Sequence, residues 1–483
     1  MTESKNRRHV YMIVVAAISF AATITCAINT RSLPDSFKGL WYLPLFNTLV
    51  TVIFVSVIMR GNFYFDIPIL LITSLFTVRN AVTPLVMSVT TCASRLGIYR
   101  DSRMINLAIA MFLYETVTVY AYLYFIRKKT LKNKIHISFP WRAPSGLFML
   151  MLTGGLIVSI LAFIVLPELR TQYYTIFTDD ITHLAHDTAN YGGGIKRALS
   201  TSANIIIEAT RLSLSSYLIF KLRKYKECWL TYFACLVIIL AQFFFINDSN
   251  AYVIMIAFAL YMLVYKLFPR YGKQTLRYLA IIFIAFFILI YVNRFSKDIY
   301  GTSLSLFLQA YFPGLNNFAS IEPILDRSFL QVIRQVFIDL YAAVPFRSTL
   351  FGYQGGLDAL PTLWHRSIGL FGQIMPNIAQ SYYYFGPVFS PILSILLCSI
   401  GVKSFKKANS TKNPCLYSAY TYLGLYACIA ITMYDFYIFM TMLLTRYLFM
   451  YLLSCFCEAQ MSLNNPNSEL YDRTTLVDMG YVN

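Results

Sequence analysis

Charged residues are scarce in this chain: only 13% of its 483 residues are Asp, Glu, Lys or Arg. That share is about half of what soluble globular proteins carry. Acidic residues are the scarcer kind, since 40 basic residues stand against 22 acidic ones and the net charge is +18. Hydrophobic residues make up 58% of the chain. This composition leaves too little charge for the surface of a soluble fold and excludes a soluble protein.

The sequence also lacks the residue patterns of disulfide frameworks and metal centres. Nine cysteines are present, but only Cys92 lies in a connection outside the apolar segments. A disulfide framework needs pairs of cysteines outside such apolar segments, and a zinc site needs closely spaced ligands. No cluster of carboxylates indicates another metal either. We therefore expect no disulfide, no bound metal and no cofactor.

Long apolar runs are what the chain has in abundance. A run of about twenty apolar residues is long enough to cross the hydrocarbon core of a bilayer. The first run follows Lys5, Arg7 and Arg8 but lacks a small-residue cleavage site, so it is expected to remain as a first helix. The sequence predicts an all-α polytopic integral membrane protein with about twelve transmembrane helices. The predicted spans are 9–28, 40–59, 67–90, 105–126, 145–166, 198–220, 228–247, 250–267, 276–296, 383–402, 415–433 and 436–456.

The basic residues indicate how these spans are oriented. Most of them fall in every second connection, for example at 127–134, 221–226 and 403–412, whereas the short alternate connections carry few. Lys and Arg accumulate on the cytoplasmic side of membrane proteins. Both termini are therefore predicted to be cytoplasmic, in the cytoplasmic (inner) membrane. Basic residues divided among short loops do not form a nucleic-acid groove, so no nucleic-acid partner is expected.

Two connections are too long to be simple links, and both fall on the predicted outer side. They are residues 167–197 and residues 297–382, the latter between spans nine and ten. We expect a single transmembrane domain over 1–457 that includes both loops, with its function on the outer face. Residues 458–483 are polar and predict a disordered cytoplasmic tail.

Three arginines interrupt the predicted spans: Arg79, Arg211 and Arg446. A cation at this depth costs on the order of 3 kcal/mol, so each must pair with a buried carboxylate or carbonyl, or face a polar cavity. Glu208 and Arg211 share one helical face with other polar residues of the sixth span. The two can pair with each other, or they can line a cavity wall that binds an anionic ligand. The whole polar stripe comprises Arg197, Thr201, Asn204, Glu208, Arg211 and Ser215.

The 297–382 loop is itself rich in apolar residues. In the stretch SFLQVIRQVFIDLYAAVPF they recur at helical spacing, which predicts a helix that lies on the bilayer or packs over the bundle as a lid. The alternative is a scaffold that only stabilises the span ends. Further on, Pro376 and Gly386 suit a helix start and stop, so a short helix over 377–385 is predicted. The rings of Tyr382, Tyr383, Tyr384 and Phe385 would lie at the membrane interface, either as part of an aromatic belt or in contact with sugars.

At this point the chain resembles a known family. Many spans, a large late outer loop and the segment QSYYYFGP entering the next span look like the bacterial oligosaccharide repeat-unit polymerases, the O-antigen and capsule polymerases. The likeness in topology covers residues 40–456 and is sharpest over 365–391. The resemblance implies transfer of a nascent glycan from undecaprenyl diphosphate to the next lipid-linked repeat unit, without metal, at the outer face. The implied partners are the lipid-linked oligosaccharide and membrane lipids, with a chain-length regulator as a further, optional one.

Such a reaction needs cations for the diphosphate and a base for the sugar hydroxyl. Arginine grips phosphate oxygens with a planar fork, and the candidate ligands are Arg79, Arg211, Arg347 and Arg366. Histidine is the natural base near neutral pH; His365 is favoured because it adjoins Arg366, and Glu208 is the reserve. Tyr382 and Tyr383 are the candidate sugar contacts. A lipid-linked oligosaccharide flippase or other transporter, or an O-antigen ligase, remains an alternative, although the large loop favours an enzyme over a transporter.

Overall fold

The computed structural model of the chain is built almost entirely of helices. It describes residues 2–55, 63–90, 92, 94–131, 146–166, 169, 173–174, 195–223, 225, 228–243, 246–247, 250–268, 278, 281, 284–285, 288, 292, 303–346, 358–370 and 373–459. Within these ranges the only sheet is a pair of two-residue antiparallel strands, Tyr173–Tyr174 and Ile246–Asn247. This predominance of helices confirms the expected all-α fold.

The helices of the described ranges are numbered in chain order. The first nine are α1 Thr2–Asn29, α2 Tyr42–Val50, α3 Phe63–Thr77, α4 Thr83–Val89, α5 Ser102–Leu131, α6 Gly146–Val165, α7 Ile195–Leu222, α8 Trp229–Leu240 and α9 Asn250–Leu267. The others are α10 Ser303–Tyr311, α11 Leu315–Ala319, α12 Phe329–Ala343, α13 Leu360–Ile368, α14 Asn377–Phe389, α15 Ile392–Ser410, α16 Pro414–Met433, α17 Phe436–Met442 and α18 Leu448–Ala459. Short π-helical turns at Thr51–Val55, Val78–Val82 and Leu443–Tyr447 continue α2 and join α3 to α4 and α17 to α18.

Six of the twelve predicted spans are confirmed as helices long and apolar enough to cross a membrane, and a seventh is added if a bent pair counts as one span. The protein is therefore a membrane-embedded helical protein. Helix α7 is long enough, at about 42 Å, but its polar stripe makes it less apolar than a typical span. Helices α8 and α9 are shorter, and the predicted spans 40–59 and 276–296 extend into residues outside the described ranges. The six helices are Ile13–Ser32, Ile67–Val89, Ser102–Ile126, Gly146–Val165, Pro414–Met433 and Phe436–Cys455.

The prediction of a continuous tenth span over 383–402 is wrong. The chain bends by 109° between α14 and α15, so this region is a bent pair of helices instead of one straight span. The reason lies at Gly386, whose φ of 70° and ψ of −174° interrupt α14. Residues with a Cβ avoid this conformation, whereas glycine adopts it readily. The separate short helix that begins after Pro376 is confirmed.

Helix α16 lies at the centre of the bundle, where nearly all of its side chains are buried. It packs against α15, α9, α7 and α3. The α15 contact is close because both helices have glycine there: a Cβ on Gly401 would come within 2.7 Å of the Cys428 sulfur, and a Cβ on Gly424 within 2.7 Å of the Phe405 ring. Small residues at helix crossings let membrane helices approach and gain van der Waals contact.

Helices α11, α13 and α14 form a cap on one end of this bundle. Their buried residues, among them Phe318, Trp364 and Tyr383, share one hydrophobic core with Phe37 and Phe112. Phe37 lies in the connection between α1 and α2, and Phe112 in the first turns of α5. Helices α11 and α13 of the predicted 297–382 loop thus pack over span ends, an arrangement that fits both the lid and the scaffold interpretation.

Candidate functional site

Helices α12, α13 and α14 meet at one buried carboxylate, Asp339. Its Oδ1 accepts hydrogen bonds from Gln335 Nε2 at 2.9 Å and from the Leu360 amide at 2.7 Å. Its Oδ2 accepts from Gln380 Nε2 at 3.3 Å and from the Tyr384 hydroxyl. We call Asp339 with Gln335, Leu360, Gln380 and Tyr384 the Asp339 junction. Because all four partners donate, the junction satisfies both oxygens of an ionised carboxylate.

The junction fixes three helices that the sequence leaves separate. Helix α12 starts with a capping box, in which Ser328 and Gln331 each satisfy the other's backbone amide. Burial is the main influence on Asp339 and raises its pKa, while the four hydrogen bonds act in the opposite direction. A buried carboxylate of this kind holds its partners firmly, because each of them would lose its acceptor if the carboxylate were removed.

We expect Asp339→Asn to loosen this cap. The new amide group cannot accept from the two donors that face the replaced oxygen, and each unsatisfied group costs about 1–3 kcal/mol. Thermal unfolding of the purified protein should show a lowered Tm, and proteolysis between α12 and α13 should become faster. Asp326→Asn is the matched control, since Asp326 is exposed just before α12 and its replacement should change stability by less than about 0.5 kcal/mol. Equal behaviour of the two variants would contradict the role given to Asp339.

Helix α13 carries the favoured pair, His365 and Arg366, and is anchored on several sides. Its first amide belongs to the Asp339 junction, and Gln335 Nε2 also donates to the Asp358 carbonyl at 2.9 Å. On the inner face of α13, Trp364 is fully buried, and its indole N–H donates to Ser320 Oγ at 3.1 Å. His365 and Arg366 therefore project from a helix whose position is fixed.

The tautomer of His365 follows from its contact with a backbone carbonyl. Its Nε2 lies 2.6 Å from the carbonyl oxygen of Gln373. A carbonyl only accepts, so Nε2 carries the proton of the neutral ring and Nδ1 carries the lone pair. Burial lowers the pKa of His365, and the Gln373 carbonyl opposes that shift to a smaller extent. The neutral, proton-accepting form therefore predominates at neutral pH.

Arg366 is the exposed cation of this helix. Its side chain is 56% exposed and forms an ion pair with Asp358. Exposed pairs of this kind contribute little to stability, so an anionic ligand can exchange with the carboxylate at small cost. The other candidate arginine of this loop, Arg347, lies outside the described residues.

The two candidate tyrosines of α14 are less open than the sequence interpretation requires for direct sugar contact. Tyr383 is buried in the cap core, and Tyr382 is half-buried with its ring edge-on to Phe318 at 5.6 Å. The exposed ring in this stretch is Phe385. Tyr384, which the sequence places at the interface but not among the two candidate sugar contacts, is the tyrosine that reaches the Asp339 junction.

Arg79 lies within the bundle and has a specific partner. Its Nη2 is 2.6 Å from Glu115 Oε2, and both side chains are buried. The guanidinium also lies over the rings of Phe76 and Phe112, at 4.8 and 4.6 Å from their centroids. Ser394 of α15 donates to the same carboxylate. Arg79 thus ties α5 to the turn between α3 and α4, as the paired interpretation of the intramembrane arginines expects.

Arg211 is held mainly by Gln242, in the 3₁₀ turn Ala241–Phe243 that follows α8. Its Nε donates to Gln242 Oε1 at 2.7 Å, and its Nη2 donates to the Gln242 backbone carbonyl. The carbonyls at a helix end have no partner within the helix, so a cation there is favourable. Glu208, one turn away on α7, is 3.9 Å from Arg211 Nη1. The predicted Glu208–Arg211 pairing therefore exists, but it is the weaker of the two contacts.

Arg446 occupies a second buried position close to Glu208. Its guanidinium lies over the Tyr252 ring, 4.3 Å from the centroid. Tyr252 and Tyr422 lie within electrostatic reach of both Glu208 and Arg446. Two of the predicted site residues, Glu208 and Arg211, therefore lie in one region of the bundle interior together with Arg446. The other candidate pair, His365 and Arg366, is far from them in sequence.

Sequence reasoning missed the two acidic residues that organise these sites. Glu115 stands alone in the apolar run of the fourth predicted span, and a lone carboxylate there is a signal that an intramembrane arginine needs it. The sequence signal for Asp339 was weaker than that for Glu115, because Asp339 is one charged residue on the polar face of an amphipathic helix. Among the described residues no group of three or more His, Cys, Asp or Glu side chains could hold a metal ion.

Comparison with protein families, with curated proteins and with solved structures gives no match to this chain. The class of protein rests on the fold itself: a helical membrane protein with a helical cap over one end of its bundle.

Proposed function

We propose that the protein is a bacterial oligosaccharide repeat-unit polymerase. In this proposal it transfers a growing glycan from undecaprenyl diphosphate to the next lipid-linked repeat unit, at the outer face of the cytoplasmic membrane. The observation that supports it most is the placement of His365 and Arg366 on a fixed helix of the cap, at the end of a membrane-embedded bundle. A lipid-linked diphosphate emerges from the bilayer at such a level, where a sugar acceptor can also reach it.

The chemistry assigns one role to each residue. The acceptor hydroxyl attacks the anomeric carbon of the donor, a new C–O bond forms, and the bond from that carbon to the diphosphate oxygen breaks. The hydroxyl proton passes to Nδ1 of neutral His365, which acts as general base. The electron pair of the broken bond leaves with the diphosphate, whose charge Arg366 stabilises after exchange from Asp358.

The buried arginines have a different place in this proposal. Arg79 is fully engaged with Glu115, and Arg211 with Gln242. We assign both to holding helices in register and place the diphosphate contact on Arg366. Glu208 is the reserve base, since it lies on the polar stripe of α7.

A deletion strain tests the function as a whole. Loss of a polymerase should leave surface glycan limited to one repeat unit per lipid, whereas loss of a flippase should remove all surface glycan. Loss of a ligase should leave polymer attached to undecaprenyl diphosphate. Either of the last two results would overturn the proposal, and the wild-type chain supplied in trans is the control.

We expect the two ends of α5 to lie on opposite sides of the membrane. The first turns of α5 pack in the cap core, and the 30-residue helix carries Lys129 to the far end of the bundle. Reporter fusions after Lys129 and after Asp358 should therefore give opposite signals, with Lys129 cytoplasmic by the distribution of basic residues. A fusion after Lys407, near the end of α15, should match Lys129. Signals from the same side at Lys129 and Asp358 would contradict the proposed site on the outer face.

A further inference from the structure

Helix α12 buries its polar face and exposes its apolar face, the reverse of a surface helix in water. Its buried residues include Gln335 and Asp339, whose polar groups belong to the Asp339 junction. Its exposed residues include Phe329 and Leu330, each 76% exposed, and Phe337, 67% exposed. A helix at a protein–water boundary packs its apolar face inward and presents its polar face to solvent. The medium outside α12 must therefore be apolar.

The exposed residues form one continuous stripe. Phe329, Ile333, Phe337 and Leu340 follow one another at spacings of four, four and three, so they share one face of the helix. Leu330 widens that face at its N-terminal end. The stripe runs along most of the 15-residue helix, which is what a helix lying in the plane of a membrane interface presents to the acyl chains.

The position of α12 fits this orientation. It packs against α14 and against α17, whose first residue, Phe436, starts one of the membrane-spanning helices. The Phe436 amide donates to Gln380 Oε1 at 2.7 Å, which connects this span to the Asp339 junction. Val388 and Phe389 at the bend before α15 are also exposed. Helix α12 thus packs directly against a helix long and apolar enough to cross the bilayer, next to further exposed apolar side chains.

Two cations accompany the stripe. Arg327 precedes α12, Arg334 lies beside the stripe, and both are exposed. Interfacial helices combine an apolar face with Lys or Arg that reach lipid phosphates. A second protein copy would not require cations at these positions, whereas a phospholipid monolayer offers both the acyl chains and the phosphates.

We propose that α12 is an interfacial helix whose apolar stripe is inserted among phospholipid acyl chains, with Arg327 and Arg334 at the phosphate level. The helix lies parallel to the membrane plane, with its stripe about 5–10 Å into the headgroup–acyl boundary. Through the Asp339 junction it fixes the height of the cap, and with it α13, relative to the bilayer. This surface does not depend on the enzymatic proposal.

Depth-dependent quenching tests the inference on the full-length protein. A fluorescent amino acid is placed at Phe337, or at Leu330 in a second variant, and single copies are reconstituted in phosphatidylcholine–phosphatidylglycerol nanodiscs. Lipids with a nitroxide near the glycerol end of the acyl chain should quench both positions more strongly than a water-soluble quencher does. The same label at Ile160, on the exposed face of span α6, is the membrane control. A label at Lys38, in the exposed connection at the cap end, is the water control.

Two results would overturn the inference. Quenching at Phe337 and Leu330 that matches the Lys38 control would place the stripe in water. Protection from both quenchers would place it against protein, and energy transfer between labelled copies at higher protein-to-lipid ratio would then identify a second copy. Activity is not the readout, so failure here is separable from failure of the proposed polymerase.

Discussion

His365→Ala is expected to lower the rate of glycan polymerisation by about a hundredfold to ten-thousandfold, the contribution typical of a positioned general base. The protein should still accumulate in the membrane, because His365 is only half-buried and Trp364 and the Asp339 junction hold α13 without it. A purified assay with lipid-linked repeat units measures the rate directly.

His365→Gln separates catalysis from structure. A glutamine amide can still donate to the Gln373 carbonyl, as His365 Nε2 does, but it cannot take up a proton near neutral pH. We expect this variant to be as slow as His365→Ala. Recovery of the wild-type rate by glutamine would show that the hydrogen bond, not the base, is what the reaction needs.

The pH profile of the wild-type enzyme provides a second check. Because burial lowers the pKa of His365, the base is deprotonated over a wider range than an exposed histidine is. The rate should therefore stay constant as the pH falls toward about 6.5, the ordinary histidine value, and decline only below it. The decline should disappear in His365→Gln; a decline that persists there would move the base to another group, with Glu208 next.

Arg79→Leu is expected to destabilise the bundle by about 3–5 kcal/mol, because it leaves the Glu115 carboxylate buried without its cation. Glu115 is fully buried and, among the residues that the structure describes, would retain only the hydrogen bond from Ser394. The expected result is a large loss of monodisperse protein after detergent extraction, together with a lowered Tm.

The double variant Arg79→Leu with Glu115→Leu is the matched control. Replacing both members of a buried pair by apolar residues is often close to neutral, and the helices here lie in an apolar medium. Recovery of most of the lost stability, with polymerisation retained, would establish a structural role for Arg79. A double variant that is stable but inactive would return Arg79 to the substrate-binding residues.

Several local features were predictable because each depends on neighbouring residues. Apolar spacing and the Ser328–Gln331 capping box are enough to define α12. Gly386 is enough to end the short helix after Pro376, because only glycine adopts its conformation readily. The same residue also showed where prediction failed: an apolar run identifies residues that tolerate lipid, but it does not reveal a 109° bend inside the run.

The candidate site was predictable only in part, because some of its contacts join residues that are far apart in sequence. His365 and Arg366 could be selected because they are adjacent in sequence. Asp339 could not, because its partners lie 21 residues away at Leu360 and 41 at Gln380. Helical periodicity states which residues share a face, but not which other helix that face meets.

The sequence by itself determined the class of protein, since a chain with 13% charged residues and recurrent apolar runs can fold only where lipid replaces water. It also determined that Arg79, Arg211 and Arg446 need partners. The tertiary structure decided which partners those are: Glu115 for Arg79, and Gln242 for Arg211. It also decided that α12 turns its polar face inward and its apolar face outward. The physical reason is that burial of charge and exposure of apolar surface depend on how helices are arranged around one another, and that arrangement is set by packing over the whole bundle.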